Sequence, residues 1–325
     1  MSVGRGTKFT IRIGTRSSRL ARWQADWVAD QLRNAHPELT VELVEIKTQG
    51  DRDQDSPLAA IGGIGVFTKE IQRAVLEKRV DLAVHSLKDL PTQQVDGLLL
   101  AAVPAREDPA DALIAPRFKM LDGLPPSARV GTGSPRRLAQ LRFLRPDLEI
   151  VSLRGNVETR LRHALEGRLD AVVLACAGLR RLGLADCITE RLDAPRFLPA
   201  VGQGALGLEC RSGDTEVVAL IKFLNDSSTY RAVLAERALL AMFQGGCTLP
   251  LAAWARDVIG AGTERTDATL AIDAAFYSPD GRERVVVSLD GSPHDPEGLG
   301  RRAAQTLLGK GAGVLVAKMD LPFEH

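Results

Sequence analysis

The chain has 325 residues, a length for two or three domains, and its 45% hydrophobic and 26% charged composition excludes wholesale disorder, collagen-like and disulfide-dense classes. Its 42 basic residues against 41 acidic ones leave a net charge of +1, which argues against a general polyanion binder and leaves room for one local basic site. The basic side is nine lysines and 33 arginines; arginine suits a two-pronged grip on carboxylate or phosphate, although a GC-rich codon bias would give the same count.

In chain order, residues 9–14 read as a strand and 17–34 as a helix with Leu20, Trp23, Trp27 and Val28 on one stripe. Residues 41–46 are a second strand. Residues 67–78 are a helix with Thr68 as a candidate N-cap. Short strands follow at 81–85 and 98–103. Strands at 129–131, 149–153 and 171–175 are each followed by a helix, at 134–144, 157–166 and 177–182. Strands alternating with helices imply βαβ units and mostly parallel sheets. The stretch Ile13-Gly14-Thr15-Arg16-Ser17-Ser18 resembles Val130-Gly131-Thr132-Gly133-Ser134, as two similar α/β domains around a cleft would produce; ordinary turn chemistry would produce it too. After Asp226 the rhythm changes to a helix at 229–243, a hairpin at 269–277 and 282–289 turning on Pro279-Asp280-Gly281, and a closing helix at 296–308. That is a smaller α+β domain.

Arginines gather at predicted helix starts: Arg16 and Arg19, Arg136 and Arg137, Arg154 with Arg160, Arg180 and Arg181. A helix N-terminus is already positive, so a cation there costs a few tenths of a kcal/mol unless an anion arrives. Repeated four times, the pattern points to a polyanion site at strand C-termini; solvated surface arginines are the alternative. No P-loop is present. Gly62-Gly63-Ile64-Gly65 reads as a cleft loop or a plain surface loop. Lys88 and Asp89 side by side could form an ion pair, or Asp89 could face the cleft and stabilise a cation. His85 reads as a satisfied core histidine. Cys176 and Cys210 follow apolar strands and read as core. Cys247, between two glycines and Thr248-Leu249-Pro250, sits in a tight turn suited to a nucleophile or covalent anchor, or to a structural role. The four cysteines show no CxxC and no metal spacing. No apolar signal core or membrane-length run is visible, so a cytoplasmic chain with free thiols and no membrane or nucleic-acid partner is expected.

Together these motifs resemble the porphobilinogen deaminase (hydroxymethylbilane synthase) family. The matching stretches are TRSS at 15–18, VHSLKDLP at 84–91, RED at 106–108, GTGSPRR at 131–137, LRGNVETRL at 153–161, AGLRRLGL at 177–184, AVGQGALGLE at 200–209, AERA at 235–238 and GGCTLP at 245–250, in the family's order. The resemblance implies two α/β domains similar to type-II periplasmic binding proteins with a central cleft, plus a smaller α+β C-terminal domain. The expected division is 1–104 with 205–225, then 105–204, then 226–325. It implies a metal-free, monomeric transferase that condenses four porphobilinogens head to tail with loss of ammonia and hydrolyses the product free. It also implies a dipyrromethane cofactor on a cysteine thioether, here Cys247. By match, Asp89 is the catalytic residue. Ser18, Lys88, Thr132, Ser134, Arg136, Arg137, Arg154, Gly155 and Arg160 face the cofactor; Arg16, Ser86, Arg154, Arg160, Arg181 and Gln203 face the substrate. The chain departs from the family at Arg19, Gly133 and Pro135. It also carries Ala60 and Ile64 in the glycine loop where lysines are usual, which removes the loop contacts those lysines would make. Two other classes compete: a non-catalytic small-anion binding protein of the periplasmic type, in which Cys247 and Asp89 have no task, and a cysteine hydrolase using Cys247 and His85, which gives the arginines none.

Overall fold

A computed structural model of the chain describes residues 10–52, 65–243, 248–259 and 268–319. The first α/β unit runs β1 (Thr10–Thr15), α1 (Arg19–Ala35), β2 (Thr40–Glu45), α2 (Gln49–Arg52), α3 (Lys69–Leu76), β3 (Leu82–Ser86) and β4 (Leu98–Ala102). The second runs β5 (Asp111–Ile114), β6 (Arg129–Thr132), α4 (Pro135–Leu144), β7 (Glu149–Ser152), α5 (Val157–Leu165), β8 (Ala171–Ala175), α6 (Cys176–Arg181) and β9 (Glu190–Leu192). The chain then returns through β10 (Leu206–Arg211) and α7 (Thr215–Ile221). Last come α8 (Ser227–Ala241), β11 (Leu251–Ile259), β12 (Ala268–Tyr277), β13 (Arg284–Gly291), α9 (Pro296–Leu307) and α10 (Gly313–Ala317).

The two five-stranded sheets share one topology, β2-β1-β3-β10-β4 and β7-β6-β8-β5-β9. β1 and β6, which end in the two similar Gly-Thr turns, occupy the same place in each. In each sheet four of the five strands run the same way, as expected, and one is reversed. β10 runs antiparallel to β3 and β4, and β5 antiparallel to β8 and β9. The reason is the connection: the strand entering each sheet from the other unit arrives against the direction of its neighbours. Three strands, β5, β9 and β11, were not expected from the sequence.

Local chemistry sets the helix starts. Ser18 caps α1, its Oγ accepting from Ala21 N–H at 3.3 Å, so the helix begins at Arg19. Its buried face is Gln24, Ala25, Val28, Ala29 and Leu32; Trp23, expected on the apolar stripe, is 37% exposed. Thr68 precedes α3 but does not cap it; its hydroxyl reaches Gly65 O instead.

The third unit packs the antiparallel β11-β12-β13 sheet against α8 and α9 around Ala235, Leu239, Ile272, Leu299 and Leu307, with Phe243 stacked on Phe276 at 5.2 Å. Glu236 of α8 is fully buried and reaches into the crossings between the α/β units. It takes both Nη groups of Arg106 (2.6 and 3.1 Å), Gly202 N–H (2.7 Å) and Ala255 N–H (2.9 Å). The two crossing segments touch backbone to backbone: Glu107 N–H donates to Gly204 O at 3.2 Å. Gly204 has φ +88°, and a Cβ there would lie 2.3 Å from Glu107 O, so only glycine fits.

Candidate active site

Ligands of open α/β sheets bind beyond the C-terminal ends of the strands, and Arg16, Ser18, Ser86, Lys88, Asp89, Thr132, Ser134 and Arg154 follow the ends of β1, β3, β6 and β7. From the first unit, β3 leads into a 3-10 turn over Leu87–Asp89, anchored by buried Leu87 and Leu90. Ser86 Oγ accepts from Gln24 Nε2 at 2.9 Å. Lys88 Nζ donates to Gln203 Oε1 at 3.4 Å. Lys88 and Asp89 are not a close ion pair: the Lys88 ammonium and the Asp89 carboxylate do not come within 4 Å, and no described side chain hydrogen-bonds the half-buried Asp89 carboxylate. Arg16, at the end of β1, pairs with Asp51 at 2.6 Å and lies over the Phe67 ring at 4.1 Å. Arg16, Ser18, Phe67, Ser86, Lys88 and Asp89 line one recess.

From the second unit, Thr132 and Ser134 form the turn into α4. Thr132 Oγ1 accepts Ser134 N–H, and Ser134 Oγ accepts Arg137 N–H. Arg136 and Arg137 both turn inward onto Asp111 of β5, at 2.8 and 2.7 Å. Burial pushes the Asp111 carboxyl up, but the charges of Arg136 and Arg137 outweigh it and hold it at about 2. Gln203 joins this cluster to Lys88. Its Nε2 donates to Asp111 Oδ1 at 3.0 Å and to Pro109 O, while its Oε1 faces both Lys88 and Arg137. Arg136 also donates to Leu198 O and is 3% exposed, so it faces the protein interior.

Gly155, at φ +100°, bends the chain after Arg154, and Asn156 caps α5. Arg160 Nε donates to Gly155 O at 2.8 Å. Burial, then the charges of Arg137 and Arg154, lower the Arg160 guanidinium to about 10. Burial lowers Arg181 to about 10 and, with Arg137, Lys88 to about 8. Lys88, Arg160 and Arg181 have no carboxylate within 4 Å among the described residues. Enclosed cations with no carboxylate in direct contact are costly, so this cleft suits a ligand that brings carboxylates.

His85 is buried and bonded to Glu209 at 3.2 Å, itself held by Gln72, the satisfied histidine the sequence suggested. Cys176 and Cys210 are buried, and burial pushes their thiols up to about 12 and about 11. Cys247 lies outside the described residues, as do Ala60, Gly62, Gly63 and Ile64 of the glycine loop. Asp111 escaped the sequence reading. The available signal was a lone acid in the apolar run Ala110–Ala115. Glu236 and Arg106 escaped it too, visible only as pieces of matched motifs.

No helix among the described residues is long and apolar enough to cross a membrane. A family model described as porphobilinogen deaminase, dipyromethane cofactor binding domain, matches residues 11–219, and one described as porphobilinogen deaminase, C-terminal domain, matches residues 230–309. Among curated proteins, the porphobilinogen deaminase of Syntrophotalea carbinolica is 49% identical over 311 residues, covering 96% of each chain. That of Moorella thermoacetica is 47% identical over 309 residues, covering 95% of this chain and 96% of its own. Among solved structures, the Escherichia coli periplasmic aliphatic sulphonate binding protein SsuA is similar at 14% identity and TM-score 0.39, over 73% of this chain and 71% of that one, too remote to carry an argument.

Proposed function

The chain belongs to the porphobilinogen deaminase family, and from that premise we propose how its cleft carries out the family's reaction. It is a transferase: four porphobilinogens are joined head to tail with loss of four ammonias, and water then releases hydroxymethylbilane for tetrapyrrole synthesis. The observation that carries the site assignment is the set of enclosed cations, Lys88, Arg160 and Arg181, that lack a carboxylate partner among the described residues. A dipyrromethane bearing acetate and propionate groups fits that donor set. When bound through Cys247, it supplies the pyrrole carbon on which the chain grows.

Lys88, Arg137, Arg154 and Arg160 hold the carboxylates of the cofactor side, with Thr132, Ser134, Ser18 and the Gly155 turn completing the cradle. The Ser18 and Ser134 oxygens accept from backbone N–H groups and keep their hydroxyl hydrogens for a ligand. Arg16, Ser86, Arg154, Arg160, Arg181 and Gln203 orient the incoming pyrrole. Arg136 acts from behind, through Asp111, to fix Arg137. Asp89, with no partner of its own among the described residues, accepts the pyrrole N–H and stabilises the azafulvene cation left when ammonia departs. Its neighbours Lys88 and Arg160 keep it from being the only charge in the recess. We further propose that the chain acts as a monomer in the cytoplasm. The thiols of Cys176, Cys187 and Cys210, all unpaired, suit a reducing compartment. The units divide at 1–104 with 205–225, 105–204 and 226–325.

The test is intact mass with a colour reaction. Purified protein should exceed its sequence mass by one dipyrrole and colour with Ehrlich's reagent, and Cys247→Ser should lose both. An unmodified wild-type mass with no porphobilinogen turnover would sink the reading.

A further inference from the structure

We propose that Trp23 is a positioning residue for Arg181, aligning its guanidinium across the cleft for a carboxylate of the pyrrole substrate. The inference rests on the deaminase reading and deepens it. Trp23 is anomalous in α1. The helix buries Gln24, Ala25, Val28, Ala29 and Leu32, yet its indole, one of the largest apolar groups in the chain, stays 37% exposed. What it meets is Arg181, whose guanidinium carbon stands 6.0 Å from the ring centroid. The contact spans the two α/β units, because α1 belongs to the first and α6 to the second.

The approach is built in. Leu20 and Trp23 lie one turn apart on α1, and Gly178 and Arg181 lie one turn apart on α6. A Cβ on Gly178 would lie at ordinary contact distance, 3.6 Å, from Leu20, so α6 packs against α1 at this point, one turn from the Trp23–Arg181 contact. The neighbouring Gln24 holds Ser86 at 2.9 Å, which ties this face of α1 to the turn carrying Lys88 and Asp89.

Arg181 has a second tether. Its Nη2 donates to Gly204 O at 2.6 Å, next to the Gln203 that contacts Lys88 and Arg137. A guanidinium has five N–H donors in one plane. One hydrogen bond fixes a point and leaves the plane free to turn; a ring face beneath it fixes the plane. Carboxylate recognition by arginine depends on that plane, because the two bonds of a bidentate pair are parallel. Arg181 has no carboxylate of its own within 4 Å among the described residues, so the aligned edge is available to a ligand. Because the indole and the guanidinium come from different units, the alignment exists only while the units are together.

The experiment is steady-state kinetics with porphobilinogen on holoenzyme, with melting temperature measured on the same preparations. Trp23→Leu keeps apolar bulk and removes the aromatic face; Trp23→Phe keeps a face. Trp23→Leu should raise KM about two- to five-fold, the size of an exposed cation–π contact, with kcat and melting temperature held. Trp23→Phe should restore most of the loss. In an Arg181→Ala background, Trp23→Leu should add nothing further to KM. An unchanged KM in Trp23→Leu, a KM rise that adds in full to that of Arg181→Ala, or Phe behaving like Leu would each overturn the inference while the deaminase reading stands. Wild-type holoenzyme that consumes no porphobilinogen would overturn both.

Discussion

Removing the charge of Asp111 is the sharpest perturbation the cleft allows. Its carboxylate is fully buried and shared by two guanidiniums, at 2.8 Å from Arg136 and 2.7 Å from Arg137, with Gln203 at 3.0 Å. Asp111→Asn keeps the shape and strands two cations. The drop of the carboxyl from 3.8 to about 2 corresponds to about 2 kcal/mol of preference for the charged form. Breaking a buried pair from one side typically costs about 3–5 kcal/mol, because the other charge is left uncompensated. About 3 kcal/mol is therefore expected, which in a chain of this size lowers the melting temperature on the order of 4 °C. The folded pKa is depressed, so the stabilisation is present above the unfolded value near 3.8 and is lost as pH falls toward about 2. The variant should lack that acid limb. Calorimetry at neutral pH and across the acid range reads both effects. Adding Arg136→Met removes one stranded cation and should recover part of the loss. A single variant melting within about 2 °C of wild type at pH 7 would refute the reasoning, since it would mean that water or backbone already neutralises these arginines.

Asp89→Asn should melt like wild type, because no described ion pair is lost, and turn over about 10²–10³ more slowly; turnover within a few-fold of wild type would remove Asp89 from the chemistry. Lys88, lowered to about 8 by burial and Arg137, should make kcat/KM fall as pH rises through about 8; Lys88→Arg should move that fall to higher pH, and an unmoved profile would assign the limb to another group. Arg154→Leu should weaken porphobilinogen use or cofactor assembly by about 10- to 100-fold in kcat/KM, the loss of a charged hydrogen-bonded pair, with folding retained; full activity at low substrate would return Arg154 to the surface.

What could be read from the sequence was what local physics sets. Helix positions followed from local periodicity, but the one cap named from the sequence, Thr68, does not cap α3, while Ser18, Ser134 and Asn156, not named as caps, do cap theirs. The parallel strands β1, β3, β6 and β8 stood out as apolar runs. The strands β5 and β9 did not, because β5 opens on the acid Asp111 just after Pro109 and β9 is only Glu-Arg-Leu, with no apolar run to mark it. Arg136 and Arg137 look like any basic helix start until the fold supplies Asp111, 25 and 26 positions earlier, as their common counter-charge. Trp23 fits a helical apolar stripe by spacing, and only the facing α6 explains why it is left partly in solvent. The roles proposed for Asp89 and Cys247 rest on resemblance to a family, which periodicity alone would not have supplied.

The backbone contact between Glu107 and Gly204 has a mechanical consequence. Two chain segments lying at hydrogen-bonding distance, with no side chain between them at that point, make a strap one sheet thick. Such a strap resists stretching and sliding along its length, because either would break the 3.2 Å bond or drive Glu107 O into its neighbour. It resists twisting and bending far less. At this joint the two α/β units are held like the covers of a book, so it favours opening about the spine over shearing one past the other. Glu236 clamps the third unit to that spine through Arg106 and Gly202, so that unit is tied to the axis of opening rather than to either cover.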